Sequence, residues 1–429
     1  MTRRTSTSGS AEANSSSSSP ADSPLRRRVV PVSVILGMGL TALGSLVMSA
    51  AAARVIGVTG FRDFATAFSI ESIGVSLCSA GISRTAGRRY AQVGPNAKVL
   101  MVSMSGVVLS SLVLTPLYLL LPLPAELSVS TAILQMAEGL LIATVEYMRF
   151  RTGVGYAALR GLAGQRVVLA LALGGMAVVG VGASASSVMA LLALISLIYF
   201  VVRLALVGRG LTFTLASKSE TLEFVRQSMA ATVTETLTIL RPQLLLLVAL
   251  SVSPAESALT LVFIGRFFAF GGLPFIFFDV YSRVDVARLS SSYENLRSEE
   301  AVLVTLRRRL RLCWLLAVVA SGCGLAITVS AAISAGHGVR SAGVFSALAA
   351  LSGGLGGFGA LSNSVALGTT HRRSHVLASL FGTLVGLVAL IVMPKNYEAA
   401  LLFALFIGSL ASNLAILYSV RRRTGVVLL

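Results

Sequence analysis

Arg241, Arg266, Glu71, Glu138 and Glu235 are charged residues that lie inside long apolar runs. An ionised side chain at such a position costs roughly 2.5–3.5 kcal/mol on insertion scales, so each is expected to face a cavity, a partner or water. Gln227, Thr234, Thr238 and Arg241 are spaced 7, 4 and 3 residues apart. At about 100° per residue they fall on one stripe of a helix, and Ser228, Thr232 and Glu235 widen it. A face of that kind suits the wall of a hydrated cavity, with Arg241 positioned to bind an anionic head group. Packing alone, through an Arg241–Glu235 or interhelix pair, accounts for the same pattern. Pro242 directly after Arg241 invites a kink.

Arg266 is flanked by Phe263, Phe267 and Phe268. Its guanidinium fork can hold two phosphate oxygens at once, or it can neutralise a buried glutamate. A shift of 194 residues between the halves of the chain brings Glu71 beside Arg266. Glu71 can then gate, take up a proton or cation, or form a static pair. Glu138, with Gln135 one turn earlier, is a second candidate for proton or cation coupling. Glu146 with Arg149 reads as a surface pair at the membrane edge, and Arg203 as a snorkelling arginine.

No catalytic set emerges. There is no Ser/His/Asp arrangement, no supported carboxylate pair and no GxxxxGK[ST] phosphate loop. The three cysteines and three histidines show neither metal spacing nor a disulfide framework. Neither an enzyme nor a bound cofactor or metal is expected.

The elements that must position these residues are membrane spans. Of 429 residues 55% are hydrophobic and 12% charged, and the mean hydropathy is +0.85. About 25% charge is usual in soluble domains. The apolar residues form blocks near the ~20 residues a transmembrane helix needs, and they are continuous, which excludes a β-barrel. The pattern predicts an all-α polytopic membrane protein. Twelve spans are expected, at 32–53, 63–83, 99–121, 127–148, 167–185, 187–207, 228–250, 257–278, 312–334, 343–364, 376–393 and 398–420. The second and seventh are the most polar.

The net charge of +18 follows from topology and does not call for nucleic acid. With the N-terminus cytoplasmic, 28 of the 35 Lys and Arg fall on inside segments and four outside. The other three are Arg203, Arg241 and Arg266, within spans. Positive residues favour the cytoplasmic side, so both termini are expected there, in a bacterial cytoplasmic membrane. The Ser-rich residues 1–28 are expected to be a disordered tail. Residues 29–210 and 226–420 are expected to form two halves of six helices each, joined by a linker at 211–225 and followed by a tail at 421–429. Even span counts make the halves parallel, a common transporter plan.

Several local sequences carry a resemblance. Ala53-Arg-Val-Ile-Gly-Val-Thr-Gly-Phe61 resembles the A-R-x-L-G-x-x-G-[YF] turn after the first helix of polysaccharide flippases. These belong to the multidrug/oligosaccharidyl-lipid/polysaccharide exporter superfamily. Gly81 with Arg88-Arg89-Tyr90 is similar to the end of that family's second helix. Pro254–Phe268, containing Ile264-Gly265-Arg266-Phe267, is similar to its turn into helix eight. The basic loop 283–311 and the segment Leu367-Gly368-Thr-Thr-His371-Arg372 fit the same pattern. Arg62 departs from it, standing where the family usually has a second glycine.

The resemblance implies two six-helix bundles around a central cavity and alternating-access flipping of a lipid-linked oligosaccharide for cell-surface polysaccharide synthesis. Membrane lipid and other polysaccharide-assembly membrane proteins are then the expected partners. A multidrug/cation antiporter of the same superfamily is the alternative, with Glu71, Glu138 and Glu235 dominant. A membrane glycan polymerase fits less well, because the outer loops are very short.

Overall fold

A computed structural model describes residues 32–209, 217–272, 348–355, 372–393 and 396–424. The expected tail 1–28, the ninth span 312–334, most of the tenth and the loop 279–311 lie outside the described residues. Those described are helical throughout, with no strand among them. The first half holds α1 (Val32–Ile56), α2 (Val58–Val93), α3 (Ala97–Leu119), α4 (Ala125–Arg151), α5 (Val154–Val179) and α6 (Ala185–Gly208). The second holds α7 (Lys218–Val252), α8 (Ala255–Gly272), α9 (348–355), α10 (Arg372–Val392) and α11 (Tyr397–Thr424).

Eight of these helices are long and apolar enough to cross a membrane. The protein is therefore a polytopic helical membrane protein. α7 is not one of the eight, because only Leu240–Val252 of it is apolar. This matches its polarity in the sequence.

Local signals set the helix ends. Asn96 caps α3 by accepting from the Lys98 amide at 2.7 Å. Ser217 and Glu220 form a capping box that starts α7 inside the expected linker. Gly57, at φ +80°, makes the single-residue break between α1 and α2.

α5 differs from the expected fifth span. It begins at Val154, thirteen residues before the expected start at 167, and passes through a π-helical turn at Leu159–Ala163. Gly161 there has non-helical angles (φ −92°, ψ −115°). The glycines at 161 and 164 read as loop in the sequence. In the fold they interrupt the helix without ending it.

Within the first half α1 packs on α5, and α4 packs on α2, α3 and α6. In the second half α10 pairs with α11, and both touch α7. The halves meet chiefly along α2 and α7, which run antiparallel. At one end of this seam Arg62 donates from Nε to the Leu250 carbonyl (2.9 Å) and from Nη2 to that of Ser251 (2.8 Å). In the middle, Thr236 Oγ1 reaches the Ser76 carbonyl at 3.5 Å, and Gly81 lies against Ser228 and Thr232. At the other end Arg89 donates to Gln227 Oε1 at 2.8 Å and stacks on Phe224, and Lys98 pairs with Glu220 at 2.6 Å. The Lys98 hydrogen bond holds the Glu220 carboxyl below the ordinary carboxylate range. The seam is thus closed along its length.

Arg62, the departure from the flippase pattern, closes one end. The last carbonyls of a helix lack intrahelical donors and carry the negative end of its dipole, so a guanidinium is well placed there. Arg62→Ala is expected to loosen that end and shift the closed-to-open ratio by about tenfold, the worth of one charge-assisted hydrogen bond. Ser49, 2% exposed, lines a small cavity behind it. A cysteine at position 49 should react faster with a water-soluble thiol reagent in the Arg62→Ala background. Equal rates would show that Arg62 holds nothing shut.

Candidate functional site

The charges that matter gather around one phenyl ring. Phe68 lies on α2 one turn before Glu71. The Arg266 guanidinium of α8 sits 4.9 Å from its centroid, and that of Arg166, on α5, sits 5.6 Å away. Arg166 also donates from Nη2 to Glu138 Oε2 at 2.7 Å. Gln165, the next residue, donates to Glu138 Oε1 at 3.3 Å and to Ser196 Oγ of α6 at 2.9 Å. Glu71 and Glu138 are both buried. Glu71 lies in the field of Arg166, Arg266 and Glu138.

Three polar atoms in this cluster have no hydrogen-bond partner among the described residues: Glu71 Oε1, Gln165 Oε1 and Arg166 Nη1. The other Glu71 oxygen accepts from its neighbour Ser72 at 3.3 Å. Such atoms are rare inside proteins and mark places where a ligand, ion or rearrangement is expected.

Beside the cluster, between the halves, is a cavity of about 40 Å³ lined by Ser49, Phe61, Phe64, Phe68, Gln243 and Arg266 among others. That is room for a few waters and not for a solute. Among the described residues the α2–α7 seam is closed beside this cavity. Arg266 is the charged residue on its wall.

The expected site residues separate into three places. Glu71, Glu138 and Arg266 come together. Arg241 does not join them. It is 2% exposed and donates from Nη1 to the Gly408 carbonyl of α11 at 2.8 Å. Gly382 of α10 and Gly408 approach closely there, so the guanidinium is packed where α7, α10 and α11 meet. Its Nε has no partner among the described residues. Gln227 stands at the Arg89 end of the seam, exposed, and donates to Glu223 Oε1 at 3.0 Å. The side chains of Thr234, Glu235 and Thr238 lie outside the described residues. Gln135 turns away from Glu138, donating to Cys78 Sγ at 2.8 Å and Ser111 Oγ at 3.1 Å.

Arg166 falls just outside the expected fifth span, 167–185, and the fold places it at the level of Glu138. One signal pointed to it. Glu138 in mid-span requires a buried counter-charge, and Arg166 is the basic residue at the edge of the next apolar run.

No protein-family model matches the chain, and no curated protein does. Solved structures do. DinF-BH, a MATE multidrug transporter, is similar with a TM-score of 0.63 at 16% identity, over 93% of this chain and 95% of that one. The Vibrio cholerae MATE transporter VcmN is similar with a TM-score of 0.60 at 15% identity, over 92% and 96%. A Pyrococcus furiosus transporter of the MOP superfamily, described as having a binding pocket of reverse polarity, follows with 0.56 at 15%, over 91% and 94%. At these identities the likeness is one of fold, and it spans nearly the whole of each chain. The protein is a multi-pass helical membrane protein with the fold of the MATE transporters.

Proposed function

We propose that the protein is a secondary transporter that moves a solute across the bacterial cytoplasmic membrane by alternating access. Both termini lie in the cytoplasm, as the charge bias has it, so the Arg89 end of the seam faces inward. The α2–α7 seam opens toward one side and then the other. Export of an amphipathic solute in exchange for a proton or cation taken up at Glu71 is the reading best supported. The observation that carries it is Glu71 itself: a fully buried carboxyl group, beside the cavity between the halves, with one oxygen unpartnered among the described residues. The aromatic wall of Phe61, Phe64 and Phe68 suits such a solute. The fold shared with DinF-BH, a multidrug transporter, supports the same reading.

A second reading rests on Arg266. A guanidinium on the cavity wall suits the pyrophosphate of a lipid-linked oligosaccharide. On that reading the protein flips such a lipid for surface polysaccharide synthesis, beside other polysaccharide-assembly membrane proteins.

Reconstituted vesicles separate the two. With a proton or Na+ gradient imposed, antiport predicts efflux of fluorescent lipophilic cations that Glu71→Gln reduces at least tenfold. Flipping predicts movement of a polyprenyl-pyrophosphate saccharide that Arg266→Gln abolishes. Efflux unchanged by Glu71→Gln would remove the coupling role and with it the antiport reading.

A further inference from the structure

We propose that the groove between α10 and α11, where α10 begins and α11 ends, holds one anionic phospholipid of the inner leaflet. Its phosphate lies on Arg422 and one acyl chain runs along Leu377 and Phe381. This site is separate from the seam: neither α2 nor α7 lines it. Only the choice of leaflet rests on the proposed orientation of the chain.

The groove follows from how the two helices pack. They are in backbone contact at mid-length. A methyl group on Gly382 would stand 2.4 Å from the Gly408 carbonyl oxygen, and one on Gly386 would stand 3.0 Å from that of Ala404. Toward the start of α10 and the end of α11 this contact gives way to a cavity of about 350 Å³. That lies within the ~300–1,000 Å³ usual for a ligand site. Ala378 and Ala415 are the small residues of its lining. Leu377, Phe381 and Tyr418 stand around them, 65%, 53% and 67% exposed, and Ser419 and Arg422 complete it.

Depth matches each side chain to a part of the lipid. Gly408 is the midpoint of the apolar stretch Tyr397–Ser419. At about 1.5 Å per residue, Tyr418 lies roughly 15 Å from the bilayer centre and Arg422 roughly 21 Å. The hydrocarbon half-thickness is ~15 Å, and the headgroup layer reaches ~22 Å. Tyr418 is thus at the level of the glycerol esters, where amphipathic rings concentrate, and Arg422 is among the phosphates. Phe381, next to Gly382, is near mid-bilayer. The groove therefore spans one leaflet, apolar along its length and polar at its mouth.

Charge selects the head. Arg422 is exposed and makes no ion pair among the described residues. From 301 to 429 the sequence has a single acidic residue, Glu398, at the opposite end of α11. α10 begins at Arg372-Arg373, and α11 runs out through Arg421-Arg422-Arg423. A guanidinium takes phosphate oxygens bidentately, and no carboxylate of these two helices competes for it. The phosphate of a zwitterionic lipid is already compensated by its own ammonium. An anionic lipid brings an uncompensated one, which suits an arginine-rich helix end on the cytoplasmic side.

Native mass spectrometry of the purified full chain in detergent counts bound lipid directly. Delipidated protein is titrated with phosphatidylglycerol, or with phosphatidylcholine of the same acyl chains. One phosphatidylglycerol should be retained about tenfold more tightly than phosphatidylcholine. Arg422→Ala should abolish that preference, a loss of about tenfold, the worth of one charge-assisted hydrogen bond. The side chain is exposed, so packing is unaffected. Arg421→Ala, at an exposed arginine outside the groove, should leave the preference intact. Ala415→Trp fills the groove and keeps the charge, and it should lose the tight lipid. A phosphatidylglycerol with a diazirine on one chain should crosslink the native chain within 377–381 or 415–422.

Equal retention of the two lipids would overturn the assignment, as would crosslinks confined to other segments. An equal loss in Arg421→Ala would reduce the effect to general surface charge. Displacement of the lipid by glycerol 3-phosphate would give Arg422 to a water-soluble phosphate instead. A dimer in the same spectra that Ala415→Trp splits would give the groove to a second copy of the chain. None of these readouts involves transport, so failure here leaves the antiport reading standing, and the reverse holds as well.

Discussion

Glu138→Ala is expected to destabilise the protein by about 3–5 kcal/mol, the cost of stripping one partner from a buried ion pair. Its pair with Arg166 is 4% and 14% exposed at the two side chains. The guanidinium is then left over Phe68 with its carboxylate gone. Gln165 loses an acceptor as well. Arg166→Ala should be similarly costly. The double change Glu138→Ala/Arg166→Ala should recover most of the loss, because both charges then leave the interior together. Thermal unfolding of the purified protein in detergent, run as a double-mutant cycle, measures the coupling. Single variants that unfold like the parent would show that water already reaches the pair, and the cluster could not then be treated as dry.

Gly81→Ala should act on the seam with comparable force. A methyl group there would stand 2.1 Å from Thr232 Oγ1, 2.4 Å from the Thr232 amide nitrogen and 2.5 Å from the Ser228 carbonyl. Two of those atoms are backbone, so no rotamer change relieves the contact and α2 must move off α7. Overpacking of this kind typically costs 1–3 kcal/mol, here against the closed form in particular. A cysteine placed at Ser76, 6% exposed in mid-seam, should label about 5- to 150-fold faster, by the usual conversion of that cost. Gly39→Ala is the control, since nothing lies within 4 Å of its added carbon. Thr232→Ala should fail to rescue Gly81→Ala. Rescue would mean that the side-chain oxygen alone made the contact, and the close approach of the two helices would have to be abandoned as its cause.

How much of this could be read in advance differs residue by residue. Glu71, Glu138 and Arg266 were legible because a charge in an apolar run has a large and context-free cost. The resemblance picked out Gly81, and the structure shows what it does: it lets two backbones touch. Arg62 was legible only as a departure, since the carbonyls it caps lie 188 and 189 positions further along the chain. Arg166 was misplaced, because glycines that bend a helix and glycines that end one look alike in sequence. Arg241 and Arg266 seemed equivalent by the same cost argument. They part company in the fold, where one is packed among α7, α10 and α11 and the other reaches across the seam.

The sequence by itself therefore determined the solvent, the helical class of the fold and which side chains pay an electrostatic penalty. Those follow from composition and from periodicity within one helix. Which of the penalised charges neutralise one another was decided only by the tertiary structure. Helices α2, α4, α5 and α8 converge on Phe68 from positions spread over 200 residues, and the choice of neighbours rests on helix packing that no local pattern encodes. That choice gathers Glu71, Glu138 and Arg166 of the first half and Arg266 of the second around one phenyl ring.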